Sequence, residues 1–340
     1  MEEATSTKSQ PLPVTDSPVA KESHRSGKGM TKRGVYAAIS YMVCAILLIL
    51  FNKAVLSSYN FPYANVITLF QTISSCLFLY VMRRWKIISF SAGQPESITD
   101  DSATHVPIKT LVHTLPLASS YLLYMLITME SVRALNVPMY TTLRRTTVAF
   151  TMVVEYFLTG QKHSLAVLSS VGIIILGAFI AGARDLSFDS YGYAIVFVAN
   201  ICTAVYLASI SRIGKSSGLS SFGLMWSNGI ICGPALLLWT AMNGDLEAMM
   251  NFPHLFSPGF QAMMLLSCIM AFFLNYFVFL NTTLNSALTQ TICGNLKDLF
   301  TIGLGWLIFG GLPFDLLNVA GQSIGFLGSC LYAYCKLRGK

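Results

Sequence analysis

The feature that most constrains this chain is a repeated one: about ten apolar stretches of roughly twenty residues, separated by short polar breaks. Twenty helical residues at about 1.5 Å each cross the ~30 Å hydrocarbon core of a bilayer. The stretches fall near 34–54, 61–82, 110–130, 135–158, 164–183, 190–211, 218–241, 259–280, 284–309 and 314–335. A segment in lipid must satisfy its own backbone, which leaves helices or a closed barrel. The strict alternation expected of barrel strands is absent. The expected class is therefore an all-α polytopic membrane protein. Composition agrees: 54% of residues are hydrophobic and 11% are charged, against about a quarter charged in soluble domains. Mean hydropathy is +0.60.

Charge then sets orientation. The basic residues of the N-terminal segment, with Arg83, Arg84, Lys86, Lys109, Lys162, Arg212, Lys215, Lys336, Arg338 and Lys340, fall on one side of a ten-span topology. Only Arg133 and Arg184 fall on the other. That bias places both termini in the cytosol. It also accounts for the formal charge of +7 without nucleic acid as a partner. Residues 1–33 read as a disordered cytosolic tail with no cleaved signal peptide, residues 34–336 as the membrane domain, and 337–340 as a short cytosolic tail. Eight scattered cysteines form no CxxC pair and suggest neither a disulfide framework nor a zinc site.

The two halves resemble each other. "ALNVPMYTTLRRTTVAFTMVVEYFLTG" parallels "TLNSALTQTICGNLKDLFTIGLGWLIFGG": each opens on a Leu-Asn pair, carries basic residues and ends in glycine. Repeat one then covers about 34–184 and repeat two about 190–336. Five spans per repeat is an odd number, so the second repeat inserts upside down, as in many secondary transporters.

Four basic residues lie at or within the spans: Lys53, Arg144, Arg145 and Lys297. A charge there costs about 2.5–3.5 kcal/mol by insertion scales, so it normally faces a cavity or a partner. Lys297 is followed by Asp298. Adjacent helical positions point about a hundred degrees apart, so the two are expected to need separate partners rather than each other. Arg144 and Arg145 hold the related place in the first half. Together these cations suit phosphate: arginine as a planar fork, lysine as a mobile point charge. Sequence does not say which arginine faces the cavity. Glu155 is a charge partner reached across helices, since ten residues separate it from Arg145. Lys53 either snorkels to the interface or joins the site. Trp226, Ser227 and Asn228 are either an interfacial anchor or a site for a nucleobase. Thr141, Thr142, Gly294 and Asn295 complete the candidate set.

Other motifs carry less. Gly214-Lys215-Ser216 lacks the first glycine of a phosphate loop, Ser209 standing in its place. Asp100, Asp101 and His105 read as a solvated loop. The Asn281 sequon falls on the cytosolic side and is expected to be unmodified. The histidines show no ligand spacing. Gly172, Gly177 and Gly182, and Gly321, Gly325 and Gly328, fit close helix packing.

With "FNK" at 51–53, "VPMYTTLRRTT" at 137–147 and "GNLKD" at 294–298, the chain resembles the nucleotide-sugar transporters of the drug/metabolite transporter superfamily, relatives of the triose-phosphate translocators. The likeness spans about 30–338. It implies a transporter rather than an enzyme, with no cofactor or metal. The expected cargo is a UDP-sugar, best UDP-N-acetylglucosamine, moved from the cytosol to the Golgi or ER lumen in exchange for UMP. In GDP-mannose relatives a Gly-Ala-Leu-Asn-Lys motif holds the ligand, and a Phe-Tyr-Asn-Asn motif reads the base. Here Gly294 and Leu296 are kept, but the lysine comes one place earlier; "MWSN" keeps only Asn228. That departure favours UDP over GDP. A GDP-sugar carrier and a plastid-type sugar-phosphate/phosphate antiporter are the alternatives, and a homodimer is open. The C-terminal "KLRGK" resembles a weak retrieval signal of Golgi or ER membranes.

Overall fold

The computed structural model describes residues 29–59, 61, 63–91, 108–135, 137–183, 189–309 and 316–339. They form twelve helices: α1 (Lys32–Ser58), α2 (Ala64–Arg84), α3 (Ile108–Ala134), α4 (Val137–Arg144), α5 (Thr147–Thr159), α6 (Leu165–Gly182), α7 (Ser190–Ser216), α8 (Ser221–Met242), α9 (Asp245–Met250), α10 (Pro258–Leu284), α11 (Ala287–Phe309) and α12 (Leu316–Arg338). Among the described residues there is no strand, only an isolated bridge between Ser91 and Leu219. Seven helices, α1, α2, α3, α6, α7, α8 and α10, contain stretches long and apolar enough to cross a membrane. The protein is an all-helical, polytopic membrane protein.

Local chemistry explains where helices begin. Thr31, Ser164, Asp189, Ser220 and Ser257 each accept a backbone N–H from the first turn of α1, α6, α7, α8 and α10, the usual N-cap arrangement. Gly160 closes α5 at φ +68°, a conformation that suits glycine. Two boundaries differ from the sequence reading. The apolar stretch 135–158 is interrupted at Arg145–Thr146, giving α4 and α5. The connection 242–258 contains the short helix α9. Residues 1–28 of the proposed tail lie outside the described residues; just beyond them, Met30 N–H donates to the Lys336 carbonyl at 3.0 Å.

Beside an apolar core, large apolar side chains also cover the outside, and a set of polar side chains is buried within. Leu165, Phe179 and Leu238 are exposed at 82%, 71% and 65%, while Gln71, Thr151, Glu155, Asn200, Asn281 and Gln290 are buried. Lipid solvates the first group, whereas polar groups inside must find one another.

Packing pairs recur along the chain. α1 packs on α10 as α3 packs on α7; α5 packs on α7 as α11 packs on α1; α2 packs on α10 as α3 packs on α8. The most extensive contact joins α6 to α12. It depends on glycine: a Cβ on Gly177 would lie 2.5 Å from the Gly325 nitrogen and 2.6 Å from the Gly321 oxygen. Backbones this close leave no room for a side chain. Gly177→Val is therefore expected to destabilise the protein by about 1–3 kcal/mol, read as a lower melting temperature in detergent. Gly172, whose Cβ would meet nothing within 4 Å, should tolerate alanine in the same assay.

Candidate functional site

The break between α4 and α5 is built by threonines. Thr146 Oγ1 donates to the Leu143 carbonyl at 2.7 Å, and Thr147 Oγ1 donates to the Arg144 carbonyl at 2.5 Å. Such short-range hydroxyl bonds compete with the helical ladder. Asn200, buried on α7, secures the break. Its Nδ2 donates to the Leu143 carbonyl and to Thr146 Oγ1, both at 3.1 Å. Its Oδ1 accepts from Arg144 Nη1 at 3.1 Å and lies 2.8 Å from Thr147 Oγ1, whose single proton it shares with the Arg144 carbonyl.

The break sends its two arginines in different directions. Arg144 Nη1 also donates to Thr203 Oγ1 at 2.8 Å, and Arg144 is only partly buried. Its bonds to described residues all leave from Nη1, so the Nε–Nη2 edge is unengaged. Arg145 is 5% exposed and turns to α12. There Nη2 donates to Gln322 Oε1 at 2.6 Å and Nη1 to the Gln322 carbonyl at 3.4 Å. Its guanidinium also fills the space over Gly325, where a Cβ would sit 3.0 Å from Nη1.

Opposite the break, α11 carries the remaining candidates. Asn295 Nδ2 donates to the Arg145 carbonyl at 3.4 Å. Gly294 lies beneath the Tyr41 hydroxyl, 3.6 Å from where its Cβ would be. Lys297 Nζ lies 2.5 Å from Asp298 Oδ1, with the two side chains 18% and 33% exposed. This corrects the expectation from helical geometry that the neighbours would not pair. Backbone directions do diverge, but four methylenes let the ammonium curve back to the adjacent carboxylate. Asp298 is within electrostatic reach of Tyr41, Tyr140 and Arg145. The pair therefore belongs to the same region as the broken span.

Glu155 has a different partner from an arginine. It is fully buried, and its Oε1 and Oε2 accept the Ala287 and Leu288 N–H groups at 2.9 and 3.2 Å. A carboxylate from α5 thus caps α11, where unpaired N–H groups and the helix dipole favour negative charge. His163 Nε2 stands 3.9 Å away and makes no hydrogen bond. Burial, with Lys336 adding to it, pushes the His163 imidazole below its ordinary range and favours the neutral form. Thr151 and Thr291 bond across the same α5–α11 seam at 3.1 Å.

The remaining candidates divide. Trp226 stacks on Phe90 at 5.5 Å and 22°, beside Tyr80, Arg83 and Arg84. It lies in the second turn of α8 and faces a different set of residues from Asn228. Ser227 is buried and its hydroxyl has no hydrogen-bond partner. Asn228 points into a cleft with Thr72, Ser75, Cys76, Tyr121 and Asn275. Thr141 is partly buried; Thr142 is buried with its methyl group toward Gly182 of α6. Lys53 lies in α1, but its side chain is outside the described residues, as are Asp100, Asp101 and His105. Its neighbour Asn52 accepts from Gln71 Nε2 at 3.1 Å and Ser267 Oγ at 2.5 Å, tying α1 to α2 and α10. Asn281 is buried and donates to Gln290 Oε1 at 2.5 Å, a position with no room for a glycan.

Sequence reasoning missed Asn52, Asn200 and Gln322. The available signal was their position: uncharged amides inside apolar spans need partners as charges do.

Comparison with known proteins follows this geometry. The model of the Triose-phosphate Transporter family matches residues 31–333. The chain belongs to the Triose-phosphate Transporter family. Within its relatives, the UDP-N-acetylglucosamine transporter of Arabidopsis thaliana is 68% identical over 339 residues, covering 97% of this chain and 98% of its own. A UDP-sugar transporter of Caenorhabditis elegans is 33% identical over 90% of each chain. A GDP-mannose transporter of Arabidopsis thaliana is 24% identical over 96% of this chain and 93% of its own. One crystal structure matches with a TM-score of 0.59 at 11% identity, covering 88% of this chain and 95% of its own; that likeness concerns the fold alone. The family's named members are transporters, and this chain is not placed among enzymes.

The α11 cap yields a test. Glu155→Ala should cost about 1–3 kcal/mol of stability by leaving two buried N–H groups unpaired. Glu155→Gln, which keeps one acceptor oxygen, should lie between it and wild type in thermal unfolding.

Proposed function

We propose that this chain is a nucleotide-sugar antiporter that moves UDP-N-acetylglucosamine from the cytosol into the Golgi lumen in exchange for UMP. The observation that supports the site is the seam between α11 and the broken span: Asn295 Nδ2 donates to the Arg145 carbonyl at 3.4 Å, and the Lys297–Asp298 pair follows on the same helix. Three cations in the interior of a membrane bundle call for a polyanion. The 68% identical relative named for UDP-N-acetylglucosamine supports the choice of cargo.

The supporting topology counts α4 and α5 as one span. Residues 137–159 would extend about 34 Å as a helix, enough to cross. With α11 and α12 this gives ten spans over 34–336 and both termini in the cytosol. The recurring packing pairs support two five-span repeats related by an inverted pseudo-two-fold. The basic last turns of α2, α7 and α12 would then meet the cytosolic surface together.

Within this carrier, Lys297 and the free edge of Arg144 receive the phosphates, and Asn295 adds a donor. Arg145 acts from behind, fixing the break against α12. Asn228 offers its amide to the base in the cleft lined by Tyr121 and Asn275. The sugar occupies the space between the halves, which rock to expose either face. UDP-sugar and UMP use the same cations, so the carrier that delivers one returns loaded with the other, which gives exchange.

In proteoliposomes preloaded with UMP, wild-type protein should accumulate UDP-N-acetylglucosamine, and Lys297→Ala should lose at least about tenfold in uptake, the worth of a charge-assisted contact. The variant's melting temperature checks that it is folded. Uptake driven by GMP alone would point to a GDP-sugar carrier. Uptake driven by inorganic phosphate or a triose phosphate, with UMP inert, would favour the sugar-phosphate antiporter.

A further inference from the structure

Asp298 is the residue for which phosphate binding provides no use. An anion beside the principal cation of an anion site weakens that site. Yet Asp298 Oδ1 lies 2.5 Å from Lys297 Nζ. The two arginines are handled otherwise: neutral acceptors satisfy them, Asn200 and Thr203 for Arg144 and Gln322 for Arg145. Glu155, the other acid near α11, is committed to the Ala287 and Leu288 amides. Of these three cations, Lys297 is the one in an ion pair, with Asp298. The pair is also accessible, Asp298 being one-third exposed, and the carboxylate makes no other hydrogen bond to a described residue.

We propose that Asp298 is an internal counter-anion, which holds Lys297 while the site is empty and yields it to the nucleotide phosphate. This rests on the reading of Lys297 as the phosphate ligand. Two consequences follow. First, Asp298 competes with substrate. An incoming phosphate must displace it, so the apparent dissociation constant is the intrinsic one divided by the fraction of time that Lys297 is free of Asp298. Second, Asp298 eases the return of the empty carrier. A bare ammonium crossing between the two faces would bear an uncompensated desolvation penalty, whereas a paired one is largely relieved of it. The empty carrier can then reorient, and the protein performs net nucleotide transport besides exchange. It is not a strict exchanger.

The test uses full-length protein in proteoliposomes loaded with radiolabelled UMP. Efflux is measured into nucleotide-free buffer and into buffer containing UDP-N-acetylglucosamine. Wild-type protein should show both, with the second faster. Asp298→Asn should exchange with a KM for UMP lowered about three- to tenfold, the worth of a partly exposed ion pair. Its efflux into nucleotide-free buffer should fall about tenfold relative to exchange. Asp298→Glu, which retains a carboxylate within reach of the ammonium, should keep the wild-type ratio. A merely structural role for Asp298 would slow both fluxes and would not lower KM. Strict exchange by the wild-type protein would overturn the proposal without any variant. So would an Asp298→Asn protein with wild-type KM and flux ratio. If instead Lys297→Ala exchanged normally, the phosphate reading itself would fail, whatever Asp298 did.

Discussion

The rest of this structure depends on one constraint: a charge or a bare backbone amide in the membrane interior must have a partner. Arg144, Arg145, Glu155 and Lys297 each have one among the described residues, and each solution joins different helices or turns back on its own. Arg145 reaches Gln322 on α12, Arg144 reaches Asn200 and Thr203 on α7, and Glu155 caps α11. Lys297 turns to its sequence neighbour. An unpaired ion at this depth costs several kcal/mol, far more than any one apolar contact returns. The charged groups therefore fix which helices meet, and the apolar side chains fill the space between.

The broken fourth stretch follows from the same logic. A continuous helix would leave Arg144 and Arg145 pointing along fixed directions, about a hundred degrees apart. At Arg145–Thr146 the backbone tightens to bonds three residues apart, Thr146 N–H to the Leu143 carbonyl among them, and threonine hydroxyls and Asn200 add to the carbonyls there. Irregular backbone at membrane depth is tolerated only where protein or a cavity supports it. The Glu155 cap repeats the device across the bundle, with a side chain of α5 completing the first turn of α11. Any motion that separates α5 from α11 must give up that cap and the Thr151–Thr291 bond.

Much of the fold was legible in the sequence, because the bilayer sets a length scale that composition alone reveals. The all-helical, polytopic class required only the apolar runs. Of the six glycines on α6 and α12 read as close-packing positions, Gly177, Gly321, Gly325 and Gly328 meet the opposing helix; Gly172 meets nothing within 4 Å, and Gly182 faces Met139 and Thr142 of α4 instead. The cations were legible as a set because charge is conspicuous in apolar spans. Their pairing was not. Backbone directions argued against a Lys297–Asp298 pair, but side-chain length overrode them. Arg144 and Arg145 are distinguished only by neighbours brought from α7 and α12, more than fifty residues away in the chain. Trp226 and Asn228 are two positions apart, yet one stacks on Phe90 and the other enters the cleft. Helical rotation alone separates them. Asn200 escaped notice because an asparagine in a span carries no charge to mark it.

The central claim is that Lys297 and the free edge of Arg144 receive nucleotide phosphate. A structure of the full chain with UMP bound tests it most directly. The account predicts the phosphate within hydrogen-bond distance of Lys297 Nζ and of Arg144 Nε or Nη2, with Lys297 released from Asp298 and Arg145 still on Gln322. A phosphate bound elsewhere, with the Lys297–Asp298 pair intact, would contradict it.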